Sequence, residues 1–325
     1  MDMLIHVVLF AVGLVCLIKG GDWFVDGAVA VARKFKLPEI LIGATIVSIG
    51  TTLPEVMVSS TAALQGTGSM AYGNAIGSII CNTALISAIT IACAPGPVDK
   101  KSLKTPIIFF FIAAVAFAVV AYVSGNFVRP FGIACIAMFV IYIVTSAKQM
   151  KDNPSEEEEE EGEDLNFGKA LVMLIAGAAI IAIGANLLVN HGQAIAEALG
   201  VPSSVIALTF VALGTSLPEL VTAITSLKKG HGALSLGNVI GANLFNIVLV
   251  CGASVTLAPF TIPLDATFLG FNSSLILEIP VMFAVMLLMT VPALIKGKLY
   301  RWQGIALLCI YAAFVIIQFT MVQQI

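Results

Sequence analysis

The chain has 325 residues, of which 59% are hydrophobic and 11% charged, with a formal net charge of -3 and a mean hydropathy of +1.04. That balance excludes an ordinary soluble domain, while the net charge rests on one acidic run and says little about partners. Apolar windows of about 20 residues, enough to cross roughly 30 Å of hydrocarbon as helix, recur along almost the whole length.

In chain order the pattern predicts an all-α polytopic membrane protein of ten transmembrane helices, at residues 3–31, 39–65, 70–94, 105–124, 128–147, 167–198, 203–227, 232–258, 268–293 and 302–322. The first run lacks a basic leader and a small-residue cleavage site, so it reads as a retained span. Arg33, Lys34 and Lys36 follow span one; Lys100, Lys101 and Lys104 follow span three; Lys148, Lys151 and Lys169 flank the central loop. Lys228 and Lys229 follow span seven, and Lys296, Lys298 and Arg301 follow span nine. These alternate loops hold fourteen of the sixteen basic residues, which places them in the cytoplasm and both termini outside, in a plasma (inner) membrane. Span one also carries Lys19, Asp22 and Asp26, read as a locally paired cluster near the cytoplasmic face. The run from Ser155 to Asp164, SEEEEEEGED, reads as a solvated tether. The expected organisation is a first half at 1–147, an acidic cytoplasmic linker at 148–166 and a second half at 167–325.

Sliding the sequence against itself by 164 residues aligns Pro38–Ile89 with Pro202–Ala253 without a gap, and about eighteen of the fifty-two positions are identical. GTTLPE at 50–55 meets GTSLPE at 214–219, and GNAIGSIICN at 73–82 meets GNVIGANLFN at 237–246. Each half has five spans, an odd number, so the second enters the membrane with opposite polarity. Two inverted five-helix repeats are a common plan of secondary transporters, with sites at the repeat interface near the midplane.

Glu55 and Glu219 fall at middle depth, where a carboxylate costs at least a few kcal/mol and marks a functional site by default. Pro54 and Pro218 remove a backbone donor and leave carbonyls about one turn earlier, near Ser48 and Ala212, without their usual partners. Thr51 and Glu55, like Thr215 and Glu219, share a helix face at i, i+4. Thr52 and Ser216 add hydroxyls, and Asn82 and Asn246 add amides in the following spans, Asn82 standing four residues after Ser78. An all-oxygen set without thiolate or imidazole suits hard cations such as Ca2+ or Na+. Two ionised glutamates balance one Ca2+. Other uses remain open: an intramembrane acid–base enzyme, a passive channel, or interhelical bonding alone. Glu278, with Pro280 two residues on, has no counterpart in the first half. The six cysteines read as small buried hydrophobes. His6, His191 and His231 read as too scattered for a zinc site.

The paired motifs resemble the alpha-repeats of the calcium/cation antiporter superfamily, most closely its prokaryotic sodium/calcium exchanger branch, and the resemblance covers essentially the whole chain. It implies Na+-driven Ca2+ exchange by alternating access, without enzymatic activity or a resident cofactor. The implied partners are Ca2+ and Na+ as substrates and the lipid bilayer, with no nucleic acid and an oligomeric state left open. It also implies that spans one and six slide across a fixed core. By position, the implied ion ligands are Ser48 (carbonyl), Thr51, Thr52, Glu55, Ser78 and Asn82 from the first repeat, and Ala212 (carbonyl), Thr215, Ser216, Glu219 and Asn246 from the second. Asn246 stands where several members carry aspartate, which weakens a K+-cotransport reading, and Ala242 lacks the hydroxyl of Ser78. Proton-coupled relatives resemble G-N-x-x-E, where this chain has Gly77 and Gly241. That favours Na+, with a Ca2+/H+ antiporter using the same glutamates as the alternative.

Overall fold

The computed structural model describes residues 3–152, 167–198, 214, 216–264 and 266–324. Within these residues the chain forms α1 (Met3–Lys34), α2 (Glu39–Leu64), α3 (Gly68–Cys93), α4 (Lys100–Val123), α5 (Arg129–Asp152), α6 (Phe167–Ala198), α7 (Leu217–Lys228), α8 (Gly232–Leu257), α9 (Ser274–Lys296) and α10 (Arg301–Thr320). Among the described residues nine of these helices are long and apolar enough to cross a membrane; α7 is the short one, and residues 203–213 and 215 of the predicted span 203–227 lie outside the described residues. The chain is an all-α, multi-pass membrane protein. A helix satisfies its own backbone, which is what a bilayer interior demands.

Short extended pieces tie loops together at one end of the bundle. Asn126–Phe127 (β1) pairs with Phe260–Thr261 (β2), and Ala266–Phe268 (β3) pairs with both Phe271–Asn272 (β4) and Gln323–Gln324 (β5). Their presence corrects the expected start of the ninth span at 268. Leu269 and Gly270 turn the β3–β4 hairpin with φ of 53° and 80°, and the Asn272 side chain then accepts from the N–H of Ser274 at 3.0 Å, which starts α9 there. At the opposite end, the α3–α4 and α9–α10 connections are knitted by Val98 N–H to Gly297 O (3.0 Å) and Leu299 N–H to Gly96 O (2.8 Å). There His231 also meets Glu39 at 2.7 Å, and Gln149 donates to the Lys101 carbonyl at 2.8 Å. The loops rich in Lys and Arg therefore share this end.

The α2–α3 and α7–α8 turns are built alike, 164 residues apart. Gly66 and Gly230 take φ of +80° and +84°, a conformation that needs glycine. Thr67 N–H bonds Ala62 O at 2.9 Å, as His231 N–H bonds Ser226 O at 2.8 Å. Wide π-helical turns interrupt α2 at Gly43–Val47, α3 at Asn82–Ser87, α8 at Asn246–Cys251 and α9 at Ser274–Glu278. Those of α3 and α8 again stand 164 residues apart, each opening on the repeat asparagine. Hydroxyls occupy carbonyls that the α2 interruption leaves over: Ser48 donates to Gly43 O at 2.7 Å and Tyr142 to Ala44 O at 2.7 Å.

In α8, 83% of the best apolar window is buried, against 17% in α10, so α8 is the axis of the bundle and α10 a lipid-facing wall. The α2–α8 crossing is a backbone seam, since a methyl group on Gly237 would run into the carbonyl of Ile40, and one on Gly43 would run into that of Leu234. Antiparallel α1 and α6 meet in the same way. A methyl group on Gly13 would sit 2.9 Å from Gly184 O, one on Gly27 2.6 Å from Leu174 N, and one on Gly177 2.5 Å from Phe24 N. This pair leans on the rest through Phe24 against Gly50 and through Gly21 against Val221 and Thr225.

Three local expectations are corrected. Asp22 and Asp26 pair with Lys229 of the other half, at 3.4 and 2.7 Å, rather than closing a local cluster with Lys19. Of the six free thiols, Cys81, Cys135 and Cys251 are buried, but Cys93 and Cys309 are exposed on outer helix faces. His6 and His191 are not scattered: their Nδ1 atoms lie 3.0 Å apart. Glu278, which the sequence left unassigned, accepts hydrogen bonds from Ser274 (3.0 Å) and Gln318 (3.3 Å).

Candidate functional site

Helix α2 inverts the usual amphipathic order of a soluble helix. Ser48, Thr51, Thr52, Glu55 and Ser59 are buried, whereas Leu53, Met57 and Leu64 face outward. The polar positions recur every three or four residues and form one inward stripe. Helix α7 repeats the stripe with Glu219, Thr222 and Ser226, and Ser216 stands directly before its first residue; all four are buried. Helices α3 and α8 complete the enclosure with Ser78 and Asn82, and with Asn238 and Asn246, also buried.

These stripes converge between the two halves. The Glu55 and Glu219 carboxylates interact across the interface, and the Thr51 hydroxyl lies beside Glu219. Ser48 and Thr51 are held by Asn238 of α8: the Ser48 hydroxyl donates to the Asn238 carbonyl at 2.9 Å and lies 3.2 Å from its side-chain Oδ1, to which Thr51 also donates at 3.2 Å. Thr51 additionally reaches the Ser48 carbonyl at 3.5 Å. Asn246 begins the π-helical turn of α8 that packs on α2. Nine of the eleven candidate ligands are thus described and buried; Ala212 and Thr215 lie outside the described residues.

What distinguishes this cluster from interhelical bonding is its unspent capacity. Both oxygens of Glu55, Oε2 of Glu219, both side-chain polar atoms of Asn82, Oδ1 of Asn246 and the hydroxyls of Thr52 and Ser216 have no hydrogen-bond partner among the described residues. Buried polar atoms are ordinarily paired, and an unpaired buried charge costs several kcal/mol. So many oxygen acceptors around two carboxylates form an environment for a cation, and the donor set is hard. Among the described residues no group of three or more His, Cys, Asp or Glu suggests a resident transition metal.

Sequence reasoning missed three neighbours of this cluster. Asn238 is one, although its identity with Asn74 inside the repeated motif marked it. Cys81 lies beside Ser216 and within electrostatic range of both glutamates, and Tyr311 approaches its sulfur at 3.9 Å. Asn243 donates to Thr83 at 2.7 Å and also contacts the Met286 sulfur at 3.2 Å. No symmetry signal pointed to it, because Ile79 occupies the equivalent position.

Known proteins resemble this chain over nearly its whole length. The sequence/structure relatives include the sodium/calcium exchanger MaX1 of Methanosarcina acetivorans, 31% identical over 97% of this chain and 99% of that protein. An uncharacterised membrane protein of Methanocaldococcus jannaschii is 33% identical over 93% of this chain and 94% of its own length. The solved structure of the sodium-calcium exchanger NCX_Mj superimposes with a TM-score of 0.83 at 32% identity, covering 98% of this chain and 100% of that one. The family described as sodium/calcium exchanger protein matches residues 5–148 and 169–320. The chain belongs to that family.

Proposed function

We propose that the chain is a secondary active antiporter that exchanges Na+ for Ca2+ across the membrane by alternating access, with both cations competing for the cluster around Glu55 and Glu219. The observation that carries this reading is the buried pair of carboxylates, one from each half, surrounded by oxygen atoms that have no hydrogen-bond partner among the described residues. One Ca2+ neutralises the pair, as do two Na+; leaving the charges uncompensated in a low-dielectric interior is strongly unfavourable. That penalty couples the arrival of one ion to the departure of the other and opposes an empty crossing.

The ligand set proposed is Ser48, Thr51, Thr52, Glu55, Ser78 and Asn82 with Ala212, Thr215, Ser216, Glu219 and Asn246, the carbonyls serving at Ser48 and Ala212. Ten spans arranged as two inverted repeats, at 1–147 and 167–325 and joined by an acidic linker at 148–166, account for the matched turns at Gly66 and Gly230 and the matched π-helical turns at Asn82 and Asn246. Gathering of the Lys- and Arg-rich loops at one end supports a cytoplasmic placement of that end, with both termini outside.

The test is uptake of radioactive Ca2+ into proteoliposomes preloaded with Na+, K+ or choline, with an imposed pH gradient measured separately. Uptake driven by internal Na+ alone is the expected result. Uptake driven by the pH gradient and indifferent to Na+ would replace Na+ by protons as the counter-ion. Flux that persists without any counter-ion would replace exchange by a passive pore.

A further inference from the structure

We infer that His6 and His191 form a binding site for a divalent transition metal such as Cu2+ or Ni2+, separate from the calcium cluster and placed where the first residues of α1 meet the end of α6. The two residues are 185 positions apart in sequence, yet their Nδ1 atoms approach to 3.0 Å and their ring centroids to 5.1 Å. The 164-residue repeat does not relate them to each other, so neither is a copy of the other.

The spacing fits a particular geometry. With metal–nitrogen bonds of about 2.05 Å, two nitrogens 3.0 Å apart subtend about 94° at the metal, close to the right angle between neighbouring positions of a tetragonal or octahedral ion. A tetrahedral ion would require about 3.3 Å between them, a few tenths of an ångström more than is present. Imidazole is a borderline ligand that suits copper and nickel, whereas Ca2+ and Na+ prefer oxygen, so the two sites select different ions. Water can occupy the remaining positions, since both rings are only partly buried.

The backbone beneath the pair is already fixed. Glycine contacts hold α1 against α6 on the same side of the bundle, with Gly13 packed on Gly184 two turns along α1 from His6. The contact is compatible with an Nδ1–H of one ring facing the bare Nδ1 of the other. Coordination through both Nδ1 atoms requires that both rings carry their proton on Nε2 and turn so that the two lone pairs converge on the metal.

The experiment uses the full chain without an affinity tag, in lipid nanodiscs, titrated with Cu2+ and followed by electron paramagnetic resonance and electron spin echo modulation, which count coordinated imidazoles. Two imidazoles are expected in the unmodified protein at one equivalent of Cu2+. His6→Ala and His191→Ala should each leave one imidazole and weaken binding at least tenfold, and His231→Ala should change neither. His6→Gln and His191→Gln preserve polarity at the contact and serve if an alanine variant does not fold. The Glu55→Gln, Glu219→Gln double variant should keep the two-imidazole signal. An unchanged signal in the His6 and His191 variants would overturn the assignment, as would a copper signal without coordinated imidazole in the unmodified protein that disappears in the double glutamine variant, which would place the copper in the central oxygen cluster.

Discussion

Asn74 and Asn238 occupy equivalent positions of the two repeats and yet work in different places. Asn74 donates to Ser59 at 2.8 Å, within the α2–α3 hairpin of its own half. Asn238 instead reaches out of its half and accepts from Ser48 and Thr51 of α2. The reason is partly compositional: Ser59 has Ala223 as its counterpart, so the α7–α8 hairpin offers Asn238 no hydroxyl at that position. A similar imbalance sets Ser78 against Ala242. The duplicated sequence supplies two similar halves, and small differences in hydroxyl placement decide which half holds the other in shape.

The comparison is tested most severely by the carboxylates, which the two halves share alike. Glu55→Gln and Glu219→Gln should each reduce Na+-dependent Ca2+ uptake by roughly two to three orders of magnitude, because each leaves a divalent ion with one buried counter-charge at a cost of about 3–5 kcal/mol. A variant of either residue that transported at the normal rate would show that the halves are not equivalent even at their centres. Asn238→Ala removes the acceptor shared by Ser48 and Thr51, a loss of about 1–3 kcal/mol, and should weaken the apparent Ca2+ affinity roughly 5- to 100-fold. Asn74→Ala should change that affinity by less than about threefold, since its bond goes to Ser59, which is not among the proposed ligands. Equal effects of the two alanine variants in the same uptake assay would erase the asymmetry.

Ala242→Ser restores the missing hydroxyl opposite Ser78. It should shift the Na+ concentration for half-maximal exchange by up to about tenfold, within the worth of one hydrogen-bonding group, while moving Ca2+ affinity less. The smallest effect is expected at Lys229. Its pairs with Asp22 and Asp26 are partly solvated, with side-chain exposures of 26%, 39% and 42%, so they are worth about 1 kcal/mol or less. Lys229→Ala should alter the exchange rate no more than about fivefold, and the difference should shrink as inert salt screens the pairs.

Much of this organisation is legible in the sequence because membrane helices and internal repeats leave strong linear signals. The paired hexapeptides located both glutamates, and the spacing of Thr51, Glu55, Ser78 and Asn82 located the inward stripes. What stayed hidden depends on register between distant helices. His6 meets His191, and Lys229 meets Asp26, only through the way α1 crosses its neighbours, which no local pattern records. The π-helical turns were equally silent, since one extra residue in a turn hardly disturbs a uniformly apolar pattern. The ninth span was placed several residues early for a different reason: the segment before Ser274 is apolar enough for a membrane helix, but the hairpin and the Asn272 cap take it first.

The seam between α1 and α6 has a mechanical consequence. Glycines recur every seven residues along it, at Gly13, Gly20 and Gly27 on one rail and Gly177 and Gly184 on the other, and each faces the partner's backbone or the base of a side chain. A displacement of one rail along the other by a single residue would drive Cβ atoms into main chain, so the two helices resist shearing and behave as a single stiff beam. Any stroke of that beam would be taken up along its outer flanks, where the Phe24 ring rests on Gly50 and Val221 and Thr225 bear on Gly21. Bulk added at those flanks would therefore load the beam as a whole rather than either helix alone.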